Sequence, residues 1–306
     1  MAGQTREIRR RIRSVTSTRK VTKAMELVAS AKMRRAVQAV LASRAYATQA
    51  WELVLNLVER TDPALHPLLR PTSIPGKPAG KPLGVVVISS NRGLVGGFNA
   101  QLVLEVRRLL EKSIGQATPS GKIILHGKKA RSLITKFRYE GVADFEKSDL
   151  LSGVEEVRPL AKEVMGGFIQ RRYERVYVAY TDFVSTLVQR PRIKQLLPLQ
   201  RDVELGAIGA QSEPSAKLAA LEYLFEPNPD IVLEALLPRL VELQLYQAVL
   251  ESNASEHAAR MVAMRNASDA AGDLIDDLTL TYNQARQASI TQDLSEISAS
   301  RSALES

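Results

Sequence analysis

Residues 4–60 read QTREIRRRIRSVTSTRKVTKAMELVASAKMRRAVQAVLASRAYATQAWELVLNLVER. The run contains no Gly and no Pro. It is rich in Ala, Arg, Lys, Leu, Glu and Gln, the residues that lose least on entering a helix. Apolar residues return at Ile8, Ile12 and Val15, and again at Val21, Met25 and Val28, at spacings of three and four. Asp62-Pro63 ends the pattern. A helix over this whole run is about 85 Å long. A globule of 306 residues is only about 50 Å across. The helix therefore projects from the body, or it breaks at points the sequence does not mark.

The other end of the chain repeats the problem. After Pro238 there is no proline, and Gly272 is the only glycine. Leu243, Ala254, Met261, Leu274, Leu278, Ala285 and Leu294 sketch an apolar stripe. Pro238 fits either a kink or the first turn of a new helix after residues 230–237. Two projecting helices from opposite chain ends hide their stripes by pairing, and a chain that enters and leaves one body pairs them antiparallel. The seam is thin. Nine alanines lie between positions 24 and 50, so the helices approach closely but bury little area per residue. An ordinary bundle of long helices is the alternative.

Charge is distributed unevenly. The chain carries a net +9, but residues 1–44 hold twelve Lys and Arg against Glu7 and Glu26. Residues 210–306 hold six basic residues against fifteen acidic ones. The ends are expected either to meet or to face different partners.

Between them lies a small α/β body. Residues 61–82 carry Pro63, Pro67, Pro71, Pro75, Pro78 and Pro82 and read as a linker. Residues 83–89 (LGVVVIS), 122–125 (KIIL) and 175–180 (RVYVAY) read as strands, with a further edge strand at 193–199. Helices are expected over 100–113, 128–137 and 154–171. Strands alternating with helices predict a mostly parallel sheet. Residues 203–228 read as a connector, with Gly206, Gly209 and Pro214. The expected organisation is a helix over 1–60, a linker at 61–82, an α/β domain over 83–202, the connector at 203–228, and a second helical segment over 229–306.

Several chemistries fail on the residues. There is no cysteine, which excludes disulfides and thiolate sites, and His66, His126 and His257 are far apart in sequence. Residues 91–99 (NRGLVGGFN) follow the first strand, where Gly-rich turns often cradle phosphate. They match neither G-x-G-x-x-G nor a Walker A loop, so a structural turn is favoured over nucleotide binding. Glu256-His257 lacks the second His of a zinc motif. Asp276 and Asp277 are adjacent on a helix and point apart. His126, Asp182 and Ser185 have no nucleophile elbow. The basic N-terminal run resembles a nucleic-acid arm, but no aromatics interleave with it before Tyr46. Its face also lacks Phe and Trp before Trp51, which weighs against a membrane-surface helix. No stretch of 18 apolar residues occurs, and the charged start has no apolar core of a secretory signal, so no span and no leader are expected.

Four stretches carry a family resemblance. Residues 8–15 (IRRRIRSV) with 20–33 (KVTKAMELVASAKM), the 91–99 turn, residues 255–264 (SEHAARMVAM) and residues 282–292 (YNQARQASITQ) resemble, in order, the signatures of the gamma subunit of F-type ATP synthases. The resemblance covers nearly the whole chain. It implies an α/β fold: a long antiparallel coiled coil of the N- and C-terminal helices with a central Rossmann-like α/β domain. It implies a non-catalytic rotor in the central stalk, present in one copy per complex. That rotor couples proton-driven turning of the c ring to conformational cycling of the catalytic beta subunits, or pumps protons when ATP is hydrolysed. The implied partners are the alpha and beta subunits, the epsilon subunit and the c ring, with no nucleic acid, no cofactor and no metal. The implied place is the cytoplasmic face of a bacterial cell membrane, held peripherally.

Roles carry over residue by residue. Met25 matches a position beside an acidic lever loop of beta, with Lys20, Lys23 and Lys32 facing that loop. Arg260 and Gln287 match positions that hydrogen-bond another beta loop, with Arg286 and Thr291 nearby. Both Arg260 and Gln287 are expected to be exposed before assembly. The tail from Ile290 matches the part seated in an apolar sleeve. Asn91 and Val95 depart from the family's frequent Asp and Cys. The absence of cysteine removes the thiol regulation of the chloroplast form.

Overall fold

The computed structural model describes residues 2–60, 66–70, 82–113, 121–137, 139–199 and 228–305. In chain order the elements are α1 (Ala2–Arg60), β1 (Leu83–Ile88), α2 (Phe98–Ser113), β2 (Gly121–His126), α3 (Ala130–Lys136), β3 (Glu140–Phe145), α4 (Arg158–Ile169), β4 (Val176–Phe183), β5 (Gln189–Leu197) and α5 (Pro229–Glu305). A 3-10 turn at Val154–Val157 leads into α4, whose first turn takes Pro159, where a missing N–H costs nothing. The expected linker over 61–82 lies outside the described residues except for 66–70 and Pro82, and the connector over 203–228 except for Asn228. The side chain of Trp51 and those of residues 299–306 lie outside them as well.

Packing divides the chain into two units, residues 1–29 with 261–306, and residues 30–260. In the second unit a five-stranded sheet has the order β3-β2-β1-β4-β5. The first four strands are parallel, and β5 closes the edge antiparallel to β4. The mostly parallel sheet matches the alternation of strands and helices. The antiparallel edge strand is longer than expected, starting at Gln189 and not at Ile193. β3 was not foreseen. Its sequence, EGVADF, is half exposed and carries two carboxylates, so it lacks the apolar run that marks β1 and β2.

Alternation along the strands fills two layers. Val85, Val87, Ile123, Leu125 and Ala179 point to one face and pack with Leu102, Val106 and Leu110 of α2 and Ile134 of α3. Val86, Ile88, Ile124, Val178 and Tyr180 point to the other face. There they meet Leu160, Val164 and Phe168 of α4 and Leu237, Val241, Leu245 and Val249 of α5. Pro238 sits inside α5, which continues through it, so no new helix begins there.

In the first unit the two chain ends pair antiparallel. Thr22 Oγ1 and Ser268 Oγ are 2.7 Å apart, and Arg265 Nε lies 3.3 Å from Glu26 Oε1. A Cβ added at Gly272 would sit 3.3 Å from the Arg19 guanidinium carbon. Residues 19, 22 and 26 thus meet 272, 268 and 265. The expected charge complementarity is corrected in its detail. Among the described residues, the one ion pair joining these two stretches uses Glu26 and Arg265, the minority sign on each.

The turn after β2 sets the sheet's carboxyl edge. Gly127 has φ +106°, and a Cβ there would lie 2.3 Å from the Ser89 carbonyl oxygen. Ser89 Oγ donates to the Gly127 carbonyl at 2.9 Å and accepts from the Ala130 amide at 3.2 Å, fastening the start of α3 to the end of β1. Gly127→Ala is expected to destabilise the isolated protein by about 2 kcal/mol or more, read as a lowered denaturant midpoint. An unchanged midpoint would show that the close approach is not a constraint.

Candidate partner-contact surfaces

The sheet order reverses direction between β1 and β4, and open α/β sheets bind ligands outside the carboxyl ends of strands at such a point. Here α5 occupies it. Ser252 Oγ donates to the Ile88 carbonyl at 3.4 Å, and residues 251–257 of α5 are all buried although six of them carry polar side chains. The asparagine side chains at the two ends of the Gly-rich turn bond within the chain. Asn99 Oδ1 accepts from the Ser90 amide at 3.0 Å, and Asn99 Nδ2 donates to Ser90 Oγ at 2.8 Å. Leu94 and Gly96 take positive φ values of 62° and 56° to close it. Asn91 Nδ2 donates to the Lys147 carbonyl, a role that needs an amide and that a carboxylate cannot perform. Among the described residues no cluster of His, Asp or Glu is placed to hold a metal.

Residues 147–149, just after β3, bond to α5 three times in succession. Lys147 Nζ lies 2.6 Å from Glu256 Oε2, with both side chains almost wholly buried. Asn253 Nδ2 donates to the Ser148 carbonyl at 3.1 Å. His257 Nε2 lies 3.1 Å from the Asp149 carbonyl. Asp149 also takes Lys32 of α1 at 2.6 Å. Burial works to raise the Glu256 pKa, but the charges of Lys147 and Arg260 outweigh it and hold the carboxylate below its ordinary value. Burial likewise opposes ionisation of Asp149, and Lys32, aided by His257 and Arg92, reverses the sign. In the sequence, Glu256-His257 stands out as a failed zinc motif and as part of the 255–264 stretch, with no mark of its partners. No local signal marks Lys147 or Asp149, because their partners lie more than a hundred residues away.

The residues expected to meet a partner divide by their surroundings. Lys20, Arg286, Gln287 and Thr291 are exposed. Thr291 Oγ1 donates to the Gln287 carbonyl at 3.0 Å, one turn back along the helix. Met25 is half-buried. Lys23 is exposed but lies 2.9 Å from Glu26, and it is chiefly this bond that lowers the Glu26 pKa. Lys32 is committed to Asp149. Arg260 corrects the expectation of exposure. Only 12% of its side chain is accessible, and its guanidinium lies 2.8 Å from Glu256 Oε1, one turn back along α5. Of the three lysines, Lys20 alone has no intrachain ion pair among the described residues. The Lys23 side chain is 57% exposed and Arg265 also reaches Glu26, which leaves the Lys23 ammonium available for exchange.

Comparison with known proteins completes the picture. The family model described as ATP synthase matches residues 4–304. The ATP synthase gamma chain of Roseiflexus castenholzii is 42% identical over 301 residues, covering 98% of each chain. Two solved structures share the fold. The rotor of the Euglena gracilis mitochondrial ATP synthase has a TM-score of 0.62 at 19% identity, covering 95% of this chain and 100% of that one. The central stalk and c-ring structure of the Tetrahymena thermophila mitochondrial ATP synthase has a TM-score of 0.59 at 24% identity, covering 81% of this chain and 99% of that one.

His126 gives the same region a pH dependence. It ends β2, is buried, and neither ring nitrogen has a hydrogen-bond partner among the described residues. Burial first, and then the Lys147 charge, push its pKa down to about 3. His257 is lowered too, chiefly by burial. Below pH 6.5 the unfolded chain therefore takes up protons that the folded chain refuses, so stability falls as pH drops. Between pH 6.5 and 5 the His126 share is on the order of 2 kcal/mol. His126→Leu should flatten the slope of unfolding free energy over that window, and identical slopes in the two proteins would refute the assignment.

Proposed function

Because the chain belongs to the ATP synthase gamma-chain family, we propose that it is the central-stalk rotor of a bacterial F-type ATP synthase, working on the cytoplasmic face of the cell membrane as a peripheral subunit. It performs no covalent step. Its partners in this reading are the alpha and beta subunits around the shaft, the epsilon subunit beside the α/β body and the c ring beneath it, with one copy per complex. No helix among the described residues is long and apolar enough to cross a membrane; in this reading the c ring supplies the membrane attachment.

The observation that carries the reading is the antiparallel pairing of residues 19–26 with 265–272, which we read as part of a coiled coil. Along these two helices Val21, Leu27, Val28, Leu280, Ile290, Leu294 and Ile297 are exposed. Large side chains left in water on a thin helix pair fit a shaft that turns inside a sleeve. Lys20 and the exchangeable Lys23 present positive charge to an acidic loop of beta, and Gln287, Arg286 and Thr291 present hydrogen-bonding groups. Proton flow turns the c ring, the body follows, and the lopsided shaft pushes each beta subunit in turn. ATP hydrolysis drives the cycle in reverse.

Copurification tests the reading. A tagged chain expressed in its own cells should bring down ATPase-active alpha and beta, and recovery of the chain alone would overturn it. The two carried-over polar contacts should behave differently on truncation. Gln287→Ala should leave the melting temperature of the isolated subunit unchanged while lowering turnover of the assembled complex about threefold, as expected for one lost hydrogen bond. Arg260→Ala should lower the melting temperature as well, because it strips one of two cations from buried Glu256. Wild-type turnover in Gln287→Ala would remove that residue from the contact.

A further inference from the structure

We infer that residues 147–149 are a clasp that joins both terminal helices to the sheet and carries torque between them, an inference that rests on the rotor reading. Apolar packing of α5 on the sheet, through Leu237, Val241, Leu245 and Val249, resists separation but is weakly directional. A helix under torque turns or slides in such a bed. Directional bonds are what hold its angle.

The clasp supplies them from three consecutive residues. Lys147 pairs with Glu256, the Ser148 carbonyl takes Asn253, and the Asp149 carbonyl meets His257, all on α5. The Asp149 carboxylate takes Lys32 on α1. The same short segment thus grips both helices. It is itself fastened to rigid structure. It follows β3 directly, the Phe145 carbonyl accepts from the Gly127 amide at 3.0 Å, and Asn91 after β1 donates to the Lys147 carbonyl. Glu256 is held a second time by Arg260. Lys32, Asp149 and the α5 residues are positioning groups in this scheme, and none of them needs to touch a partner.

The Lys32–Asp149 pair is the member to test, because both side chains are about one-third exposed and each charge can be reversed without burying a new one. The assembled, membrane-reconstituted complex carries Lys32→Glu, Asp149→Lys or both together. Copurification with alpha and beta, ATP hydrolysis, and protons pumped per ATP are measured for each. Each single reversal is expected to assemble and hydrolyse ATP but to pump about twofold fewer protons per ATP, and the double exchange is expected to restore the ratio. Lys32→Arg, which keeps the pair, should pump like the parent. Assembled single variants with the parent's pumping ratio would overturn the clasp. So would a lowered ratio that the double exchange leaves unrestored. If a single reversal blocks assembly, recovery in the double exchange supports the clasp and continued failure overturns it. Failure of the rotor reading looks different, since the parent chain itself would then bring down neither alpha nor beta.

Discussion

A lysine ammonium with 1% of its residue exposed needs a carboxylate beside it, and that requirement sets how α5 lies on the sheet. An unmatched charge at Lys147 would cost several kcal/mol, and Glu256 at 2.6 Å removes the penalty. Such a pair adds little net stability over well-packed apolar groups, because desolvation consumes most of the attraction. Its contribution is register. Advancing α5 by one residue turns each side chain by about 100°, which would carry Glu256 off Lys147 and leave two buried charges alone. The same turn would carry the leucine and valine face of α5 off the sheet, so the buried polar bonds and the core select the angle of the helix together.

The same register explains why a fold suited to nucleotides has its usual site filled. The crevice outside the ends of β1 and β4 is taken by Ser252, Asn253 and Glu256 of the chain's own last helix. The two asparagines of the Gly-rich turn are bonded within the chain, Asn91 to the Lys147 carbonyl and Asn99 to Ser90. A ligand entering there would have to displace a helix anchored to residues 147–149 by one buried ion pair and two hydrogen bonds. The family membership and this occupied crevice agree on a body that holds a shaft and performs no chemistry.

Much of this was legible in the sequence, for a simple reason. A run of 57 residues without Gly or Pro leaves few options but helix, and apolar runs such as LGVVVI announce a buried strand. β3 escaped because it lies at the sheet edge, where half of its side chains face water and no apolar run develops. Pro238 was ambiguous because a proline's cost depends on whether its helix is held by packing, and α5 is pinned there by Leu237 and Leu240. Arg260 and Lys32 stand at positions where the family resemblance implies partner contacts, and each is bonded within the chain. Signature residues can be kept for internal anchoring or for external contact, and sequence alone does not separate the two.

The charge asymmetry teaches a related point. A basic first helix and an acidic last segment suggest many bridges between them, but the described bridge joins Glu26 to Arg265. Net charge describes a field averaged over about a Debye length, ~8–10 Å in physiological salt, while an ion pair needs contact at one position. In this unit the contact positions are taken by small and apolar residues such as Ala29, Met264, Ser268 and Ala271. The cations are consequently displaced to the outside, at Arg9, Arg10, Arg13 and Lys20. With no ion pair among the described residues, they give the outer face of this unit a positive field that an acidic surface on another subunit can feel before any contact forms.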